Sequence, residues 1–164
     1  MLQFISSRFL IPAAFYLVFF TFIGMGISCM EDESVVKAPK SLELRLFQAI
    51  DKGNLELVKE LLAEGVSINA KDSLGNSPLI KAVDDEEMVM AKFLIHKGAN
   101  VNLRNTTGET ALYRAVYRGN LELVKLLVEA GAETKVKTVG GVSIAELAEE
   151  RGEEGILKYL HSLK

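Results

Sequence analysis

The chain has no tryptophan, one cysteine, two histidines and three prolines in 164 residues. Each shortage closes off a class of protein. One thiol cannot make an internal disulfide, so the fold has to stand on packing alone. With His96 and His161 as the only imidazoles, neither has a carboxylate or cysteine partner at ligand spacing, and both are expected to be exposed surface residues. A basic excess is also missing. The 19 Lys and Arg are set against 22 Asp and Glu, with both signs interleaved. Such a surface lacks the electrostatic footprint that nucleic acid requires. The length suits one compact domain rather than two large ones. No catalytic residue, metal ligand or cofactor site is expected.

Charge is absent altogether from Phe9 to Ser28, and Glu31-Asp32-Glu33 follows soon after. Arg8 before the run and acids behind it put the N-terminus inside and the body outside. The body is therefore expected to be exported, facing the periplasm or the extracellular side. Length alone leaves a cleaved signal peptide and a retained transmembrane helix both open. Small residues Gly26 and Ser28 suit cleavage before Cys29, the chain's one cysteine. The segment Gly26-Ile27-Ser28-Cys29 resembles a bacterial lipobox, whose cysteine becomes the lipid-modified first residue of the mature protein. It departs from that pattern in having Gly26 where a large aliphatic residue is usual, and in the bulk of Ile27. Cys29 is thus the candidate lipidation site. The domain plan is 1–28 as signal peptide or anchor and 29–41 as a solvated tether, followed by a folded body over 42–164.

The body repeats. Gly65, Gly98 and Gly131 are separated by 33 each time, and Gly75, Gly108 and Gly141 keep the same step. Gly53, Gly119 and Gly152 lie on a third such lattice with Glu86 at the missing place, and Ala49, Ala82, Ala115 and Ala148 on a fourth. One unit reads as a hydroxyl cap (Ser77-Pro78, Thr110-Ala111), a short helix to about Asp85 or Arg118 and a glycine turn. A second helix such as LELVKLLVEAG follows, closed by a C′ glycine. Leu61, Leu94 and Leu127 share its buried position. Each helix pair is too small to bury its own apolar face, so the pairs must stack.

The segments GNLELVKELLAEG, SPLIKA, GANVN, GETALYRAV and GNLELVKLLVEAGAE resemble the ankyrin repeat. The resemblance implies an all-α solenoid of about four helix pairs with short hairpin-like loops, the repeats falling at about 42–65, 66–98, 99–131 and 132–164, behind an N-terminal apolar helix. Departures from the pattern are specific. The signature histidine is replaced by Ile80, Tyr113 and Glu146, and Glu154 stands where a leucine is expected. Glu86 in place of glycine implies a strained or differently built turn. The first pair lacks a preceding hairpin and the last lacks a closing glycine, as capping units would.

The resemblance also implies where a partner would sit: on a concave face made of loop tips and the exposed ends of first helices. In this chain the tips are Ser73, Leu74 and Asn76, then Thr106, Thr107 and Glu109, then Val139, Gly140 and Val142. The helix ends are Asp51 and Lys52, Asp84 and Asp85, Tyr117 and Arg118, and Glu150 and Arg151. Tyr117 and Arg118 are the expected anchors, with Tyr113 and Arg114 behind them, because Tyr and Arg dominate binding hot spots. Tyr113, in place of the signature histidine, is read rather as packing between repeats. Asp84-Asp85-Glu86-Glu87 reads as a solvated turn, since consecutive carboxylates diverge, and Val139–Val142 as a repeat loop rather than a phosphate cradle. The expected function is a monomeric, exported, membrane-tethered scaffold for a protein partner. A stabiliser or inhibitor of an exported enzyme is the alternative. An enzyme is the remote one, for want of a triad, metal set or phosphate loop.

Overall fold

A computed structural model describes residues 40–163. The expected apolar N-terminal helix, its cleavage point and Cys29 lie outside the described residues. Among the described residues no helix is long and apolar enough to cross a membrane.

Among the described residues eight helices follow one another: α1 (Lys40–Asp51), α2 (Leu55–Ala63), α3 (Pro78–Asp84), α4 (Met88–His96), α5 (Ala111–Tyr117), α6 (Leu121–Glu129), α7 (Ile144–Glu150) and α8 (Glu154–Ser162). They form four pairs, as the 33-residue lattice predicts. First helices pack on first helices in the order α1, α3, α5, α7. The helix α1 takes in Lys40 and Ser41, which the sequence reading placed in the tether.

Helix starts obey simple chemistry. The Ser77 and Thr110 hydroxyls accept from the Ile80 and Tyr113 N–H groups at 3.2 Å each, which satisfies a donor left free at a helix N-terminus. Asn54 and Asn120 do the same for α2 and α6 at 3.1 Å. In α7, Ser143 accepts from the Glu146 N–H at 3.2 Å while the Glu146 carboxylate accepts from the Ser143 N–H at 2.7 Å, a reciprocal capping box. Glu146, one of the residues in place of the signature histidine, therefore works within its own helix.

The two-residue turn within each pair is a Schellman motif. Asn54 N–H donates to the Ala49 carbonyl at 2.8 Å and Gly53 N–H to the Ile50 carbonyl at 2.8 Å. The motif recurs with Ala82, Ala115 and Ala148 as acceptors. This accounts for the alanine lattice: its carbonyl closes the turn, and its side chain is fully buried, where nothing larger is present in any unit. Glu86 completes the same motif in the second unit, with φ 59. The strained alternative is the one realised.

The core is continuous. Leu46, Ile50, Leu61, Leu79, Ile80, Leu94, Leu112, Leu123, Leu127, Ile144 and Ile156 are fully buried. Between pairs the chain forms short fingers at 72–76, 105–109 and 138–142. Each is closed by its first residue: Asp72 accepts from the Leu74 and Asn76 N–H groups, Asn105 from Thr107 and Glu109, and Thr138 from Val142. The third finger also carries an isolated bridge between Lys137 and Ser143.

Candidate interaction surface

The ends of the first helices lie next to one another because the pairs stack in register, and their charges meet across units. Lys81 Nζ stands 2.8 Å from Asp51 of the first pair and 3.1 Å from Asp85 of its own helix end. Arg114 reaches Glu109 at 2.7 Å and Asp84 at 3.5 Å, and Arg118 reaches Asp84 at 3.1 Å. Asp84 thus takes two arginines from the next unit. Beyond it, the Arg151 guanidinium lies 4.3 Å from the centre of the Tyr117 ring, with Arg114 at 6.0 Å on that ring as well.

These contacts leave their mark on protonation. Burial works against the Lys81 ammonium, but its hydrogen bonds to Asp51 and Asp85 outweigh it and hold the pKa above the ordinary lysine value. The hydrogen bond to Asp84 raises Arg118 in the same way. Burial, then the Glu109 charge, push the Tyr113 hydroxyl up. In α7 the Ser143 N–H, then its hydroxyl, hold Glu146 below the usual carboxylate range.

The structure brings the expected residues into one row but divides their roles. Arg114, Arg118, Asp84 and Asp51 hold neighbouring units to each other, while Asp85 pairs with Lys81 within its own unit. Tyr113 is half-buried and packs against the core, in keeping with the packing alternative. Tyr117 remains 41 % exposed. Lys52 and Glu150 are exposed, with no ion pair among the described residues. Two members of the row were missed in the sequence. Lys81 shares its lattice position with Arg114, which is the signal that could have found it. Glu109 was read as a loop tip, yet its carboxylate holds Arg114.

The acidic run diverges. Asp84 turns to the arginines, Asp85 to Lys81, Glu86 accepts from Asn120 Nδ2 at 3.3 Å, and Glu87 lies against Gly53. Among the described residues no three His, Cys, Asp or Glu side chains gather as a metal site. His96 and His161 are exposed, in the last turns of α4 and α8.

A search of curated proteins found no match for this chain. A family profile described as ankyrin repeats, in three copies, matches residues 46–138. That span takes in the second half of α1 and runs through α6 to the start of the third finger. The fourth pair, α7 and α8, continues the same geometry beyond it, with its own capped start and Schellman turn. The glycine lattice, the paired helices and fingers and the matched profile agree: the chain belongs to the ankyrin-repeat family.

Proposed function

We propose that this chain is a non-catalytic scaffold that binds a partner protein across its finger tips and first-helix ends. Ankyrin repeats generally mediate protein–protein interaction. The observation that carries the finer reading is Tyr117. It is a large aromatic ring left 41 % exposed in the middle of a row whose other charges are mostly paired internally. The Arg151 guanidinium holds one face of it, so the ring is ordered before a partner arrives. A pre-ordered aromatic loses little freedom on binding, which favours it as an anchor. Lys52 in the first unit and Glu150 in the fourth add free charge of both signs to the same row, suited to the polar rim of an interface.

The reading extends to the N-terminus. The uncharged run Phe9–Ser28 and the lipobox-like Gly26–Cys29 support export and attachment to a membrane, with the repeats displayed on the outer side.

The test starts with cross-linking and purification of the partner from native cells, followed by calorimetry with purified components. Tyr117→Ala is expected to weaken binding by at least about thirtyfold, the equivalent of about 2 kcal/mol. Arg118→Ala is expected to weaken it less, because part of its role is holding Asp84. Lys92→Ala, on an outer helix, is expected to stay within about 0.5 kcal/mol. If Lys92→Ala disrupts binding and Tyr117→Ala does not, the partner uses the outer helices and the assignment fails.

A further inference from the structure

The fingers bond to one another like strand edges. Thr106 N–H donates to the Leu74 carbonyl at 3.1 Å, and Thr106 Oγ1 donates to the same oxygen at 2.7 Å. One unit on, Val139 N–H donates to the Thr107 carbonyl at 3.0 Å. One unit back, the same register position is Ser73. Its N–H and hydroxyl have no hydrogen-bond partner among the described residues.

The cause lies in α1. Lys40–Leu44 occupies the lattice positions that make a finger tip and cap in later units, but here they form the first turns of a helix. A helix directs its carbonyls along its own axis and cannot offer one sideways to Ser73. What is left between α1 and the first finger is a groove of about 540 Å³, lined by Leu44, Phe47, Lys40, Lys71, Asp72 and Ser73. Leu44 is 60 % exposed. Four charged residues line it: Lys71 and Asp72 are engaged, whereas Lys40 and Glu43 have no partner among the described residues. The Asp72 carboxylate accepts from Leu74 N–H, Asn76 N–H and Asn76 Nδ2, and Lys71 Nζ donates to the Arg104 carbonyl at 3.1 Å. The groove therefore offers a pair of donors and an apolar wall, with one charge of each sign, Lys40 and Glu43, beside them. An extended peptide has the matching chemistry, since it carries a carbonyl at every residue and a side chain on each face.

We propose that the groove between α1 and the first finger binds an extended peptide segment of a partner protein. The segment continues the finger ladder by supplying the carbonyl that Ser73 lacks, and it lays an aliphatic side chain on Leu44 and Phe47. The site belongs to the first unit, whereas Tyr117 belongs to the third, so the two can fail separately.

The test uses the full chain and a phage-displayed library of random linear peptides as the probe, followed by synthetic peptides from the enriched clones. Enriched peptides are expected to share an aliphatic residue and to protect the Ser73 amide from hydrogen exchange. Leu44→Glu should weaken them by about tenfold or more. Ser73→Ala, which removes only the hydroxyl, should weaken them by about threefold. Tyr117→Ala should leave them unchanged. Leu44 is exposed, so its substitution does not threaten the fold. The proposal is overturned if no linear peptide is enriched, if bound peptides leave Ser73 exchanging as in the free protein, or if Leu44→Glu has no effect. It is also overturned if Ser73 becomes protected with rising protein concentration as a dimer forms, which would assign the groove to a second copy.

Discussion

Glu86 stands where the other three inter-helix turns have glycine, and it adopts the same left-handed conformation. A side chain in that region costs about 1 kcal/mol. Its carboxylate recovers little, because the bond from Asn120 is exposed and 3.3 Å long. Glu86→Gly is therefore expected to raise stability by about 0.5–1 kcal/mol, read as a higher urea midpoint with unchanged slope. Glu146 gives the opposite case. Its folded pKa is depressed, so its contribution is present above its unfolded value near 4.5 and is lost as pH falls through the folded value. Glu146→Ala should lower the urea midpoint at neutral pH, and the gap to wild type should close as the pH is taken below the carboxylate range. Both residues were visible in the sequence as departures from a pattern, but only Glu86 was interpretable there. The Ser143-x-x-Glu146 spacing is itself a capping-box signal, masked because Glu146 also stands at the signature histidine position. The Asp84–Arg118 pair was harder to see. It joins residues far apart in sequence, and only the stacking register makes them neighbours.

At the scale of the element, second helices are the most legible part of the chain. Leu61, Leu94 and Leu127 share a lattice position and are each fully buried. Leu127→Ala is expected to cost about 2–5 kcal/mol by chemical denaturation, since truncation leaves a cavity between stacked pairs. A cost below about 0.5 kcal/mol would contradict the register. The fingers were legible as loops through Gly75, Gly108 and Gly141, and positive φ at all three explains the lattice. At Gly108 a side chain would also collide with the Val139 backbone of the next finger. What the lattice could not show is the start of α1. Residues 40–44 lack the Asp72- or Asn105-type closure that makes a finger, so helix propensity prevails there and the ladder loses its first rung.

At the scale of the whole molecule, the repeats are one stack and the N-terminal run is a separate question of address. If Cys29 carries the anchor, Cys29→Ser releases the body from membranes or blocks processing, and labelled fatty acid enters only the wild type. A variant that stays membrane-bound at unchanged apparent mass, beside a wild type that takes up no label, would instead mean that Phe9–Ser28 is retained as a helix. The row of paired charges carries one more consequence. Lys81 with Asp51 joins the first and second units, and Asp84 with Arg114 and Arg118 joins the second and third. Among the described residues no ion pair crosses to the fourth, where the Arg151–Tyr117 contact, the Arg104 guanidinium on the Lys137 carbonyl and the Val139 N–H on the Thr107 carbonyl make polar contacts. Mobile ions weaken the first kind of seam more than the second. Rising salt is therefore expected to loosen the first two seams more than the last, by at most about 1 kcal/mol for each ion pair.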